Sequence, residues 1–304
     1  GLLSGMAPDL DVLLRSSSDP LLYLEYHRQF THSLVFIPFG GLLCCLLLYR
    51  IVAKPRGLSI LQCFAYCTLG YATHGLLDAC TTYGTQLLWP FSNQRFAWNS
   101  MSIIDPLYTL PILLLVLMAS LKRNPYFARI AMCWILLFPL LGVVQRERAE
   151  QFGLQLAQQR GHVVLQLEAK PSFGNLLLWK IVYQTEQDYY VDAVRVGFDS
   201  RHYEGTHISK LNVAEDFPWL AEDSQQRRDI ERFRWFSNDY LAVDPKDAYK
   251  IIDVRFSMVP NEIAGLWGIR VAPNAGMKDH VSYEVNRDAS ASIRERFWRM
   301  LVGE

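Results

Sequence analysis

The stretch SLVFIPFGGLLCCLLLYRIV, residues 33–52, decides the fold class, because Arg50 is its only charged residue. A bilayer core about 30 Å thick is crossed by roughly 20 mostly apolar residues in an α-helix. Three further stretches meet the same requirement, residues 59–78, 104–121 and 126–144. The sequence therefore predicts a membrane α-helical bundle of about four to five transmembrane helices.

The start of the chain indicates a fifth helix in addition to these four stretches. Its first residues, GLLSGMAPDLD, lack an initiator methionine and resemble the end of a helix that is already under way. None of the apolar stretches is a signal peptide, which would stand once, at the start, behind a basic flank. We therefore expect an N-terminal helical segment to precede Gly1.

Charged residues are far sparser in the first half of the chain than in the second. Residues 1–145 contain nine cations and six acids, whereas the whole chain contains 30 of each. The sequence thus predicts a transmembrane helical domain at residues 1–145 and a soluble domain at residues 146–304. The formal net charge is zero, so no global field attracts nucleic acid and we expect no such partner.

The loops between the apolar stretches predict the orientation, because short cytoplasmic loops retain Lys and Arg. The loops RIVAKPR at residues 50–56 and LKRNPYFAR at residues 121–129 are rich in cations, so we expect them in the cytoplasm. The opposite loops carry little positive charge. By continuity, the soluble domain is expected to face outward, which in a bacterium is the periplasm.

The second half of the chain is predicted to be mostly β. Runs such as NLLLWKIVYQT and YKIIDVRFSMV are rich in β-branched and aromatic residues, and turn-forming segments such as KPSFG separate them. Residues 223–238 and 290–304 are predicted to form short helices. The four histidines of this half lack ligand spacing and are interpreted as surface or structural residues.

Ionisable side chains beside the apolar stretches are functional candidates, because a charged group is costly at membrane depth. Asp9 and Asp11 follow Pro8, and in extended backbone their i, i+2 spacing would direct both carboxylates to one side. His27 and His32 precede the first membrane stretch. They would diverge by roughly 140° on one helix, so they need a chain break between them or two different ions.

The third pair of candidates is His74 and Asp78, whose i, i+4 spacing places both on one helix face. Imidazoles and carboxylates together are typical ligands of zinc, or of another divalent ion such as manganese. The full set of predicted metal ligands is Asp9, Asp11, His27, His32, His74 and Asp78. The spacing of His27 and His32 favours a site with two ions.

These residues carry a resemblance to a known family. The ordered motifs PDLD, HRxxTHS, HxxxD, TTYG and LLWP span Pro8 to Pro90 and resemble the YdjM-like family of bacterial inner-membrane, metal-dependent hydrolases. The stretch IIDPLYTLP and the polar second half look like the long form of that family. The resemblance implies a bacterial inner-membrane location, and it implies that one further polar ligand precedes this sequence.

A more distant pattern similarity suggests the reaction. An Asp, a His pair and HxxxD in this order are similar to zinc-dependent phospholipase C and the fungal zinc nucleases, helical enzymes that cleave phosphoesters. This similarity implies that metal-activated water attacks a phosphoester. With the site at the membrane surface, the expected substrate is a phospholipid or another lipid-linked phosphate.

Three residues are candidates for direct catalytic roles. Arg28 could pair with a phosphate oxygen or neutralise Glu25, and the sequence leaves both open. A carboxylate not fully used by metal, Asp9 or Asp105, is the expected general base. Asp105 also precedes Pro106, which is the signature of a helix N-cap.

Other functions remain open at this stage. The same metal site could cleave an amide or acyl ester, as in a lipid deacylase, an amidase or a protease, although the chain has no HExxH motif. A transporter or assembly scaffold would show inverted repeats or helices broken at mid-membrane, whereas these acids and histidines lie at one end. The soluble domain could cover the metal site, select the substrate or bind a protein partner.

Overall fold

Helices dominate the first part of this computed structural model, which describes residues 1–304. The first compact unit, Gly1–Trp98, contains the α-helices α1 (Leu2–Gly5), α2 (Leu22–Tyr26), α3 (Ile37–Leu48) and α4 (Ile60–Cys80). Short 3-10 helices occupy Pro8–Leu13, Phe30–His32, Leu34–Phe36 and Lys54–Arg56, and a π-helical turn occupies Tyr49–Ala53.

Local sequence explains how α3 and α4 meet. Ser59 caps the start of α4 in a capping box, because its side chain and that of Gln62 each accept a hydrogen bond from the other's backbone N–H. Gly40 and Gly41 of α3 allow close approach: a Cβ on Gly40 would lie 2.3 Å from the ring of Tyr71 on α4. The two helices therefore form a tight pair.

The second compact unit, Asn99–Glu304, begins with two apolar helices and continues into strands. Its helices are α5 (Pro106–Lys122), α6 (Pro125–Gln159), α7 (Val213–Asp216), α8 (Gln225–Phe236) and α9 (Ala291–Val302). Its strands are β1 (Gln166–Pro171), β2 (Leu178–Gln184), β3 (Asp188–Val196), β4 (Ser200–Ser209), β5 (Leu241–Asp244), β6 (Asp247–Asp253), β7 (Trp267–Arg270) and β8 (Ser282–Val285). Helices α8 and α9 confirm the two short helices predicted from the sequence.

The strands form two antiparallel meanders, β1-β2-β3-β4 and β5-β6-β7-β8. In the first, Trp179 lies opposite Val194, and in the second Ile251 lies opposite Ile269. Buried side chains from both sheets join in one apolar cluster, which includes Val182, Val191, Ile252 and Val254. The prediction of a mostly β domain in the second half is therefore confirmed.

Helix α6 joins the apolar and the β parts of this unit as one continuous helix of 35 residues. Its second half carries small buried residues at every fourth position, Ala149, Gly153 and Ala157. A Cβ on Gly153 would lie 2.8 Å from Ile181 of β2 and 2.9 Å from Leu167 of β1. Sheet β1–β4 therefore packs directly on this face. The helix runs through residue 145 without a break, and the domain boundary expected there stays a prediction.

Two helical segments are long and apolar enough to cross a membrane, Leu34–Arg56 and Pro125–Gln159. The predicted number of four to five transmembrane helices is therefore not supported by helix length and composition. Helix α5 is apolar but has 17 residues. Helix α4 has 21 residues, yet its Gln, Thr, His and Asp side chains lower its mean hydropathy.

Candidate metal centre

The N-terminal segment supplies Asp9 and Asp11 from a short 3-10 helix, Pro8–Leu13. The extended backbone predicted for this pair is wrong, because Pro8 at the first helical position favours a helical turn. The carboxylates nevertheless reach one cluster by approaching His32 from opposite sides of its ring. Asp11 Oδ2 lies 3.2 Å from Nδ1, and Asp9 Oδ1 lies 3.5 Å from Nε2.

The chain break predicted between His27 and His32 is present. Helix α2 ends at Tyr26, and a separate 3-10 helix, Phe30–His32, carries the second histidine. The imidazole of His27 meets Asp11 at 2.7 Å through Nδ1. His32 is buried, and its ring lies between Asp11 on one side and Asp9 and Asp78 on the other.

The last two turns of α4 supply His74 and Asp78 on one face, as their spacing predicts. Nδ1 of His74 donates a hydrogen bond to the carbonyl of Gly5 at 2.6 Å, which leaves its Nε2 to face Asp9 at 3.2 Å. Gly75 allows this approach, because a Cβ there would lie 2.4 Å from the carbonyl oxygen of His32.

Four side chains have the spacing of a four-ligand metal site. Single ligand atoms of Asp9, His32, His74 and Asp78 all lie within 4.8 Å of one another. Nε2 of His32 and Nε2 of His74 lie 3.2 and 3.7 Å from Asp78 Oδ2, and 3.5 and 3.2 Å from Asp9 Oδ1. Ligands at about 2.05 Å from a tetrahedral zinc ion are about 3.4 Å apart. The four atoms could therefore hold one such ion.

Unsatisfied polar atoms support the same assignment. His32 Nε2 and Asp78 Oδ2 are buried and lie 3.2 Å apart, yet neither makes a hydrogen bond of acceptable geometry, although Arg28 Nε lies 3.0 Å from the same carboxylate oxygen. Buried polar atoms normally have partners, because an unpaired one costs free energy. A cation between the two atoms would satisfy both.

A second group of possible ligands shares one carboxylate with the first. Ligand atoms of Asp9, Asp11 and His27 also lie within 4.8 Å of one another. Asp9 belongs to both groups, so it could bridge two ions. The second group has only three members, and the expected second ion stays a prediction.

Asp11 has a further role as the carboxylate that orients both neighbouring histidines. Its Oδ1 meets His27, and its Oδ2 accepts hydrogen bonds from the backbone N–H of Arg28 and the hydroxyl of Thr31. Carboxylates behind a ligating histidine fix its ring and raise its basicity. Sequence reasoning placed Asp11 only among the ligands and missed this role, because chain spacing does not show which ring nitrogen a carboxylate meets.

The charges of the cluster stabilise one another. The neighbouring imidazoles of His32 and His74 hold the pKa of Asp9 well below its usual range. Burial opposes the ionised form of Asp11, but hydrogen bonds with His27 and His32 keep its pKa low as well. Burial also opposes the charged form of His32, yet Asp11, Asp78 and Asp9 raise its pKa to about 10. A position that favours a proton so strongly also favours a metal cation.

Arg28 lies at the edge of the cluster and is buried. Its Nε is 3.0 Å from Asp78 Oδ2, and one terminal nitrogen donates to the hydroxyl of Thr81 at 3.0 Å. The guanidinium lies over the ring of Tyr83, which sequence reasoning did not single out. Its backbone has φ of 65°, an uncommon value for a residue with a side chain. Such strained positions often occur at functional sites.

Asp105 belongs to the second unit and caps α5. Its Oδ1 accepts hydrogen bonds from the backbone N–H groups of Leu107 and Tyr108. The N-cap signature in the sequence is therefore confirmed. A catalytic role for Asp105 stays a prediction.

Fold and site together define a helical protein with apolar candidate spans and a candidate metal centre of histidines and aspartates. Comparison with known proteins agrees with the membrane assignment. The model of the YdjM inner membrane protein family matches residues 1–149, so this part of the chain is similar to that family. The location implied is therefore an inner membrane.

Two curated proteins show how far the similarity extends. The inner membrane protein YbcI of Escherichia coli (strain K12) is 36% identical over 98 residues, which are 32% of this chain and 54% of that protein. This chain thus spans about half the length of YbcI. The uncharacterized protein YfhP of Bacillus subtilis (strain 168) is 24% identical over 264 residues, 84% of this chain and 76% of that protein. No solved structure matches.

Proposed function

We propose that this protein is a membrane-embedded metal-dependent hydrolase that cleaves a phosphoester of a phospholipid or a lipid-linked substrate. The observation that carries the proposal is the close spacing of ligand atoms from Asp9, His32, His74 and Asp78, with Arg28 beside them. A bound zinc or manganese ion would lower the pKa of a water molecule and polarise the scissile group. A two-ion site, with Asp9 as the shared ligand, is part of the proposal.

The residues of the chain have separate roles in this reaction. His74 is oriented by the Gly5 carbonyl, and His32 is oriented by Asp11. The side chain of Asp9 is 54% exposed, so with one ion bound its free oxygen would be the carboxylate oxygen of the cluster most accessible to an attacking water and its proton; in the two-ion site that oxygen would be a ligand instead. Arg28 offers a guanidinium fork to the negative charge that gathers on the non-bridging oxygens.

The membrane arrangement that we propose has four crossing segments. In addition to Leu34–Arg56 and Pro125–Gln159, helix α4 exposes Leu61, Leu69 and Leu76 at helical spacing along its length. Helix α5 likewise exposes Leu110, Leu113 and Leu117. Apolar surface of this extent is typical of contact with lipid. The cation-rich loops favour a periplasmic position for the metal centre and the β domain.

Metal content tests the site. Elemental analysis of the purified protein should find at least one transition-metal ion per chain, and the double variant His74→Ala/Asp78→Ala should lose most of it. His207→Ala is the matched control, since His207 lies on the exposed strand β4 of the second unit. Equal metal content in the double variant and the wild type would show that the site is assigned wrongly.

Product analysis tests the reaction. A panel of phospholipids and lipid-linked phosphates should yield a phosphorylated or phosphate product with wild-type protein, and His32→Ala should abolish it. Phosphate or vanadate should inhibit. Cleavage of acyl-ester or amide bonds, without sensitivity to vanadate, would support the deacylase, amidase or protease alternative and leave the metal site intact.

A further inference from the structure

The apolar part of helix α6 ends abruptly. The candidate span includes the apolar stretch up to Val144, and the next residues are Gln145, Arg146 and Glu147. A change from apolar to charged residues along a membrane helix marks the level of the lipid headgroups. Residues 145–148 of α6 therefore indicate the level at which the bilayer surface meets the second unit.

Two loops of the first β-sheet are hydrogen-bonded to α6 at this level. The side-chain amide of Gln145 donates to the carbonyl of Leu176 at 3.0 Å and to that of Val196 at 2.9 Å. Arg148 donates to the carbonyl of Gly197 at 2.7 Å. The β1–β2 loop and the β3–β4 hairpin tip therefore lie beside the end of the apolar segment.

Large apolar side chains are exposed on both loops. Phe198, at the tip of the β3–β4 hairpin, is fully exposed, and Phe173 of the β1–β2 loop is 64% exposed. The β1–β2 loop lies against the start of α5, since a Cβ on Gly174 would be 3.3 Å from Cδ of Pro106. Ile104, just before that helix, is also exposed. Exposed aromatic and aliphatic groups at one level are typical of an interface with lipid.

Arginines surround the same hairpin tip without carboxylate partners. Arg148, Arg195 and Arg201 donate instead to the backbone carbonyls of Gly197, Leu301 and Gly303, respectively. The acid on the tip itself is Asp199. Guanidinium groups beside buried or inserted apolar side chains fit the phosphate layer of a bilayer, where they remain hydrated and pair with lipid phosphates.

We propose that these groups form an interfacial belt that docks the β domain on the headgroup layer of the bilayer that α6 crosses. The belt consists of Ile104, Phe173 and Phe198 as inserting groups, and of Arg148, Arg195 and Arg201 as phosphate-binding groups. The inference rests on the membrane crossing of α6 proposed above, and it goes beyond the hydrolase assignment. It predicts that the β domain is held against the lipid surface.

Three labelling positions test the belt in the full-length protein. Cys80 and Cys133, the two cysteines that are not buried, are first replaced by serine. A fluorescent dye is then attached to Leu140→Cys in the apolar part of α6, to Phe198→Cys, or to Met277→Cys, and each protein is placed in nanodiscs. Leu140, in the apolar part of α6, and Met277, in the β7–β8 loop outside the belt, are both exposed and serve as the matched positive and negative controls.

Quenching distinguishes the possible results. The dye at position 198 should be quenched by lipids with a spin label near the headgroup and be protected severalfold from aqueous acrylamide, whereas the dye at position 277 should behave oppositely. Equal behaviour at positions 198 and 277 would overturn the belt. Lack of lipid quenching at position 140 would instead overturn the crossing of α6, so the two failures are distinguishable.

Lipid charge tests the arginines separately. Nanodiscs that contain phosphatidylglycerol should protect position 198 from acrylamide more strongly than nanodiscs of phosphatidylcholine alone. Arg201→Gln keeps a donor for the Gly303 carbonyl but removes one charge, so it should reduce this difference. Equal protection in both lipids would overturn the proposed attraction between the arginines and negatively charged headgroups.

Discussion

At the scale of single residues, His32 shows how a buried imidazole among carboxylates can serve as a cation-binding position. Its ring is buried among three carboxylates, where a neutral imidazole would leave Nε2 without a partner. Either a proton or a metal ion compensates the negative charge. The same residue is therefore central to the stability of the cluster and to its chemistry.

Arg28 gives a prediction at this scale. In the phosphoesterase proposed above, Arg28→Ala should lower turnover roughly 10- to 1000-fold, about the range for one charge-stabilising donor. Arg28→Lys should recover only part of the loss, because an ammonium group lacks the bidentate fork. Steady-state kinetics on the substrate identified by the lipid panel measures both effects.

The control for Arg28 is the metal content of each variant, because the guanidinium also pairs with Asp78. Equal metal content with reduced turnover supports a role for Arg28 toward the substrate. Full activity of Arg28→Ala would contradict that role.

At the scale of the elements, the approach of α4 to the loop that precedes α3 builds the site. Cys63, Cys67, Tyr71 and Gly75 lie at every fourth position of α4 and are buried, so this face is turned inward along most of the helix. The face also brings Tyr71 to the loop, where its hydroxyl donates to the carbonyl of Thr31 at 2.9 Å. Helix packing thus decides where His74 meets His32.

Gly75→Ala tests this dependence without removing a ligand. The added Cβ would lie 2.4 Å from the carbonyl oxygen of His32, so the helix and the loop must separate. We expect metal affinity to fall by about 10- to 100-fold, the range for loss of ligand orientation. Metal titration of the purified protein measures the change.

Leu77→Ala is the matched control, since Leu77 is on the same helix with its side chain more exposed. This variant should retain wild-type affinity. If Gly75→Ala also bound metal normally, the packing of α4 on the His32 loop would not be what positions the ligands.

At the scale of the whole molecule, the charge distribution predicts which side of the membrane each part occupies. A reporter active only outside the cytoplasm should be active when fused after Glu304 and inactive when inserted in the loop at Lys54. The physical reason is that cation-rich short loops are retained in the cytoplasm, so we expect the loops at residues 50–56 and 121–129 to lie there. The reverse pattern would place the β domain in the cytoplasm and exclude periplasmic substrates.

The continuous helix α6 has a consequence at the same scale. Because one helix of 35 residues passes from the apolar segment into the first β-sheet, no flexible linker separates the two within the second unit. The β domain is therefore attached rigidly to its own candidate span. Its first sheet is placed by the small residues of the helix and by the hydrogen bonds of Gln145 and Arg148.

The sequence alone determined the class of elements and most candidate ligands. Apolar stretches of helical length predicted the helices, and alternating β-branched runs predicted the second half, because these periodicities follow from local backbone geometry. The i, i+4 spacing of His74 and Asp78 placed them on one face for the same reason. Local sequence could not decide the number of membrane crossings. Helix α4 is long enough but only moderately hydrophobic, and helix α5 is hydrophobic but short.

Only the tertiary structure decided which atoms meet. Asp9 and His74 are 65 positions apart in sequence, and their contact depends on how α1, the Pro8–Leu13 turn and α4 pack together. The turn places Asp11 at Nδ1 of His32 and Asp9 at Nε2 of the same ring, which spacing along the chain could not show. The guanidinium of Arg28 lies over the ring of Tyr83, in the loop after α4, and the backbone of Arg28 has a positive φ. Such contacts join distant segments, so the packing of whole elements determines them, whereas local sequence determines only the elements.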